Sequence, residues 1–213
     1  KDFEIIIHEF EENNDITVIP ISDVHLGANE HMQRAWERFC IDVLKEPNTY
    51  ITLGGDLINN ATRNSVSNIF EETMRPSEQK RMMAKLLEPV RDRILCILPG
   101  NHERRSGKDA DDDPCYDIAA KLDIEDRYRE NIAFVKIQLG IQERDTGTRT
   151  SAFERPCYSL VVCHGSGGGI LTGGAVNRGE RFGYVIDGMD ALIVGHTHKP
   201  FTTQPGKIQI DPR

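Results

Sequence analysis

The chain has 213 residues, 38% of them hydrophobic and 28% charged, and a formal net charge of −8. That length suits one well-buried domain, residues 1–213, and is short for two. No apolar run approaches the roughly 20 residues of a membrane span, so no membrane partner is expected. The negative surplus weakens the long-range attraction that dominates binding to phosphate backbones.

Short apolar, β-branched runs bounded by Gly or Asp read as buried strands. Residues 4–7 and 16–21 are the first two, separated by the turn-prone Glu11-Glu12-Asn13-Asn14-Asp15. Pro20 cannot donate to a ladder, but it sits near the end of its run. Residues 34–44 form an amphipathic helix pattern, with Trp36, Phe39, Val43 and Leu44 as the apolar stripe. A strand follows at 50–53, then helices at 66–74 and 77–90, the latter with Ser77 as its N-cap. After the strand at 94–98 comes a helix over 113–122, capped by Asp113 with Pro114 in its first turn. Residues 132–137 and 158–163 read as strands flanking a polar connection, 143–155. The glycine-rich stretch from Gly165 to Gly174 reads as a flexible loop, and 191–194 as another strand. Residues 207–210 resemble the first half of a hairpin, and the chain is expected to continue past residue 213. Strands alternating with helices argue for an α/β domain with a largely parallel sheet.

Five of these strands each end on a residue with metal-ligand chemistry. Asp23 and His25 follow 16–21, Gly55-Asp56 follows 50–53, and Gly100-Asn101-His102 follows 94–98. His164 follows 158–163, and His196 with His198 follows 191–194. Ligands of open α/β sheets sit outside the carboxyl ends of the strands, so these donors are aimed at one place. One such residue alone would be read as a helix cap or a satisfied turn residue. Five of the seven histidines, however, fall inside the motifs. His8 and His31 lie outside them and read as ordinary core or surface histidines. The five cysteines have no CxxC spacing and read as reduced thiols of a cytoplasmic protein.

The ordered set Asp23-x-His25, Gly55-Asp56, Gly100-Asn101-His102-Glu103, His164-Gly165 and Gly195-His196-x-His198 resembles the calcineurin-like metallophosphoesterase superfamily over residues 16–199. The resemblance implies a four-layer α/β/β/α sandwich holding two divalent metal ions. Asp23, His25, Asp56 and His198 would hold one ion. Asp56, Asn101, His164 and His196 would hold the other, with Asp56 bridging. The ligand set suits Mn first, with Fe, Zn, Co or Ni as alternatives. By the same resemblance His102 is catalytic, acting on the leaving oxygen or on the transition state. In protein-phosphatase relatives an acidic residue three positions after the bridging Asp pairs with this His. Here that position is Asn59, followed by Asn60, which argues against a protein phosphatase and leaves the partner of His102 open. Arg104 is the substrate-contact candidate among Arg63, Arg104, Arg105 and Lys108. The expected activity is hydrolysis of a phosphodiester, nucleotide or nucleic acid, by metal-activated water. A phosphomonoesterase and a non-catalytic scaffold are the alternatives. Scaffolds of this fold lack His102 or several ligands, and this chain keeps them all.

Overall fold

The computed structural model describes residues 3–11, 15–63, 65, 69–140, 156–167 and 172–204. The expected connection at 143–155 and the strand at 207–210 lie outside the described residues.

Two sheets form instead of one. Strands β1 (Ile6–Phe10), β5 (Ile132–Leu139), β6 (Cys157–Cys163) and β7 (Ala191–Val194) make a four-stranded sheet in the order β1-β5-β6-β7. Strands β2 (Thr17–Ile21), β3 (Thr49–Leu53) and β4 (Ile94–Ile97) make a second, three-stranded sheet. The latter is wholly parallel, whereas β5 and β6 pair antiparallel. The single parallel sheet expected from the strand and helix alternation is corrected accordingly, and the two-sheet sandwich implied by the resemblance is what forms. Pro20 is tolerated because β2 is an edge strand.

Side-chain alternation along the strands builds the layers. Ile51 and Leu53 of β3 and Ile94 and Ile97 of β4 face helices α1 (Gln33–Lys45), α2 (Pro76–Leu87) and α4 (Pro114–Lys121) across one core. Leu95, Cys96 and Leu98 meet Val135, Ile137 and Val162 between the sheets, the consecutive Leu95 and Cys96 doing so across a register shift in the β3–β4 pairing. On β7, Ile193 joins this inter-sheet core, so its neighbour Leu192 points outward, where Gly183 of α5 (Thr172–Val185) lies against it. The layers therefore run helix, sheet, sheet, helix.

Several helical expectations are corrected. The helix expected at 66–74 is not formed by the described residues 69–74, which are turns and bends; residues 66–68 lie outside the described set. α2 begins at Pro76 rather than after a Ser77 cap, with the Glu78 carboxylate accepting the Arg75 N–H at 3.0 Å. Beyond Leu87 the chain tightens into a 3-10 helix, Glu88–Arg93. Helix α3 (Glu103–Ala110) was not expected, because Glu-Arg-Arg-Ser-Gly-Lys-Asp-Ala carries no apolar stripe. Part of the expected glycine-rich loop is the first turn of α5, with Gly173 and Gly174 inside the helix, and residues 168–171 lie outside the described set. Glycine at 179 and 183 leaves room for Phe201 and Leu192 to approach that helix. All five cysteines are free, and Cys40, Cys96, Cys115 and Cys163 are buried.

Candidate metal centre

The carboxyl ends of β2, β3, β4, β6 and β7 converge, and the seven candidate ligands converge with them. Ligand atoms of Asp23, His25 and His198 lie within 4.8 Å of one another, as do those of Asp56, His164 and His196. Asp56 stands between the groups, its Oδ2 3.2 Å from His164 Nε2 and 4.0 Å from His25 Nε2. Asn101 Oδ1 is 3.0 Å from His164 Nε2, and His198 Nε2 is 3.0 Å from Asp23 Oδ1.

Holding these side chains in place distorts the backbone. Eight described non-glycine residues have positive φ, and five of them are Asp23, His25, Asp56, His196 and His198. The left-handed conformation costs free energy for such residues, so surrounding contacts must impose it. Those contacts run between the loops. His25 donates its N–H to the Asp56 carbonyl at 3.0 Å, Asp23 its N–H to the Gly55 carbonyl at 2.9 Å, and His196 its N–H to Asp23 Oδ2 at 2.9 Å.

The arrangement fits a cation. His164 Nδ1 lies 2.8 Å from the Gly54 carbonyl oxygen and so carries the proton it donates. Its Nε2 lone pair then faces Asp56 Oδ2 and Asn101 Oδ1, both acceptors, with His196 Nδ1 only 3.3 Å away. Lone pairs meeting at such distances repel unless positive charge lies between them. The acid–base balance of these groups leans the same way. Burial alone would lower the His164 pKa, yet Asp56 outweighs it and raises it. Burial alone would raise the Asp56 pKa, yet the hydrogen bond and charge of His164 outweigh it and lower it. Burial, helped by His102, pushes His25 down to about 4 and keeps it neutral, as a ligand must be. Imidazole, carboxylate and amide donors without thiolate suit a first-row divalent ion.

His102 stands at the edge of the cluster, with Nε2 3.9 Å from Asp56 Oδ2. Its orienting partner is the main chain: Nδ1 lies 2.8 Å from the Asn59 carbonyl oxygen. Burial sets the His102 pKa below the usual imidazole range, against the opposing pull of Asp56 and the Asn59 carbonyl. Asn60 reinforces the turn, its Nδ2 donating to the His102 carbonyl at 2.8 Å and to Ser106 Oγ at 2.9 Å.

Sequence reasoning assigned nothing to Glu103, and it is central. Its fully buried carboxylate accepts the N–H groups of Asp56 at 3.0 Å, Ile58 at 3.0 Å and Gly100 at 2.9 Å. It thereby ties the loop after β3 to the loop after β4. Burial and the nearby Asp56 push its pKa up to about 7, against the pull of the N–H donors. The available signal was its place beside His102 at the start of a short polar segment.

Arg104 lies apart from this arrangement. It projects from α3, donates to the Glu130 carbonyl at 2.9 Å, and lines a separate cavity of about 330 Å³ shared with His164 and Arg178. The larger cleft, about 800 Å³, opens over Asp23, His25, Asp56, Asn101, His102, His196 and His198. His31 borders it and bonds the Val24 carbonyl, while His8 bonds the Leu95 carbonyl away from the site.

A sandwich of two sheets whose strand ends gather imidazoles and carboxylates around a demand for positive charge is built for metal-dependent hydrolysis. Residues 16–200 match the calcineurin-like phosphoesterase family, and the chain belongs to it. It is accordingly a metal-dependent phosphoric ester hydrolase. No curated protein matches the chain. Among the described residues no helix is long and apolar enough to cross a membrane.

Proposed function

We propose that the chain is a phosphodiesterase acting on nucleotide-type or nucleic-acid diesters. Asp23, His25, Asp56 and His198 would hold one divalent ion and Asp56, Asn101, His164 and His196 the other, with Mn²⁺ the first choice. The observation that supports the metal assignment is the meeting of His164 Nε2 with Asp56 Oδ2 and Asn101 Oδ1, which calls for positive charge between them. Ions in such a site supply positive charge to the phosphoryl oxygens and acidify water for attack.

His102 moves a proton at Nε2. Its Nδ1–H is committed to the Asn59 carbonyl, so Nε2 alone is free toward the cleft. A pKa held low by burial makes the protonated ring a good acid toward a leaving oxygen. Asn60 and Glu103 position His102 and Asp56 through the main chain, and touch no substrate. Arg104, in the neighbouring cavity that His164 also lines, would meet the part of a longer substrate beyond His164.

The choice of diester over monoester rests on charge. The described lining of the large cleft contains Asp23, Glu30 and Asp56 but no Lys or Arg. A monoanionic diester suits such a cleft better than a dianionic monoester. Metal-stripped protein reloaded with Mn²⁺ is expected to hydrolyse bis-p-nitrophenyl phosphate in preference to p-nitrophenyl phosphate. His102→Ala should cost roughly 10²–10⁴-fold in kcat with metal content unchanged. Asp56→Asn should lower occupancy at both sites together. Preference for the monoester, or loss of a single ion from Asp56→Asn, would overturn the corresponding part of the assignment.

A further inference from the structure

We propose that the wall of the cleft formed by α1 and the segment before it is a subsite for an apolar or aromatic ester group, so that the phosphate over the metal centre carries an uncharged organic substituent on that side. This rests on the phosphoesterase reading above and narrows it to a substrate class.

The cleft is sharply two-sided. Its floor is the Asp and His cluster. Its wall is Val24, Ala28, Met32, Ala35, Trp36 and Phe39. At about 800 Å³ the cleft lies in the roughly 300–1,000 Å³ range of organic-ligand sites, far more than a phosphate needs. The wall is apolar by construction of the helix. Met32, Ala35, Trp36 and Phe39 follow the three- and four-residue spacing that places side chains on one face. Trp36 is the deep member, 6% exposed within the core, and its ring lies 5.6 Å from that of Phe39. Met32, by contrast, is 72% exposed although it borders the cleft. A large apolar side chain left open beside a charged floor loses contact with water only when something apolar lies against it.

Charge narrows the substituent further. The cleft's described lining offers Glu30 beyond the ligand carboxylates and no cationic side chain. A second phosphate on the substituent would find no counter-charge there. An uncharged ring, whether a nucleobase or another aryl group, would stack on Met32 and Phe39 with the phosphate over the floor. The only tryptophan of the chain, Trp36, lines this wall and so reports its occupancy by fluorescence.

The test measures binding of phenylphosphonate and methylphosphonate, equal in charge, to the Mn²⁺-loaded full chain by calorimetry and by Trp36 emission. Phenylphosphonate is expected to bind at least about tenfold more tightly, from the additional apolar area it buries. It alone should change the emission. In the Met32→Ser, Ala35→Asp double variant, both positions being on the surface, the preference should fall to within about threefold. Arg38→Ala, on an exposed part of α1, should keep the wild-type ratio. Equal binding of the two phosphonates, or an undiminished preference in the double variant, overturns the subsite. If the same preparations still hydrolyse bis-p-nitrophenyl phosphate, the phosphodiesterase reading survives that result. If neither phosphonate binds and no ester is hydrolysed, both fall together.

Discussion

The two halves of the metal centre are built differently. The half carried by β2, β3 and β4 is cross-tied around the buried Asp56, although Asn101 at its rim is exposed. Asp56 is 3% exposed at its side chain, and Glu103 fastens three N–H groups of neighbouring loops. The half carried by β6 and β7 is uneven: the His164 side chain is only 2% exposed, whereas the end of β7 is loose. His198 is 59% exposed at its side chain, and β7 is only partly buried along its length. Described contacts that register the second half on the first include the His164 bond to the Gly54 carbonyl, the His196 N–H to Asp23, and the approach of Gly195 to Ser22. The contrast teaches that one sheet sets the geometry of the cluster and the other is brought to it. Preorganisation of this kind requires side chains whose supports are themselves locked.

The largest effect that would break this comparison is Glu103→Ala. It strands the N–H groups of Asp56, Ile58 and Gly100 in a buried loop pair, at a cost of about 3–5 kcal/mol. Urea unfolding reads this as a lower midpoint with an unchanged slope. A loss below about 1 kcal/mol would mean that the clamp is not what holds the first half.

A glycine pair sharpens the difference. A Cβ at Gly100 would collide with the Asp56 backbone nitrogen and with Asp56 Oδ1. Backbone cannot step aside cheaply, so Gly100→Ala should cost about 2–3 kcal/mol and displace Asp56. A Cβ at Gly195 instead meets Ser22 Oγ, with the Ser22 Cβ at 2.8 Å and Asp23 Oδ2 at 3.0 Å. The hydroxyl can turn but the Ser22 Cβ cannot, so Gly195→Ala should cost about 1–2 kcal/mol, less than Gly100→Ala because no backbone nitrogen is struck. Thermal melts of the two variants check the order, and its reversal would reverse the assignment of rigid and adaptable halves.

The smallest effect lies at the periphery. Gly174 sits in α5 with nothing within 4 Å of its missing Cβ. Gly174→Ala should therefore stabilise the protein by about 0.5–1 kcal/mol, by restricting the unfolded chain. Destabilisation would show that α5 needs the glycine for a reason its open surroundings do not reveal.

Legibility followed the range of the interactions. Strands β2 to β4 and β6 to β7 were readable because each is a short apolar run stopped by Gly, Asp or His. Helix α1 was readable because Trp36, Phe39 and Val43 repeat at helical spacing. Helix α3 was not, since it carries no apolar stripe, and the first turn of α5, with Gly173 and Gly174, fell in a stretch that read as a loop. Further along α5, Gly179 and Gly183 permit a close approach to Phe201 and Leu192 that only the folded chain contains.

At the site the same division holds. The order of motifs singled out the eight residues Asp23, His25, Asp56, Asn101, His102, His164, His196 and His198, and the folded chain brings them together. The absence of an acidic partner at Asn59 was visible in the sequence. That the Asn59 carbonyl oxygen does the orienting was not, because a main-chain group has no letter of its own.

By itself the sequence determined the alternation of strands with ligand-type residues, the family, and the chemistry of the donors. Those properties are written in residue types at short spacing. Tertiary structure alone decided which strands share which sheet, the Glu103 clamp, the separation of Arg104 from the large cleft, and the apolar wall beside the charged floor. Each of these depends on groups far apart in the chain meeting through backbone hydrogen bonds or packing, and such contacts leave no periodic trace in the sequence.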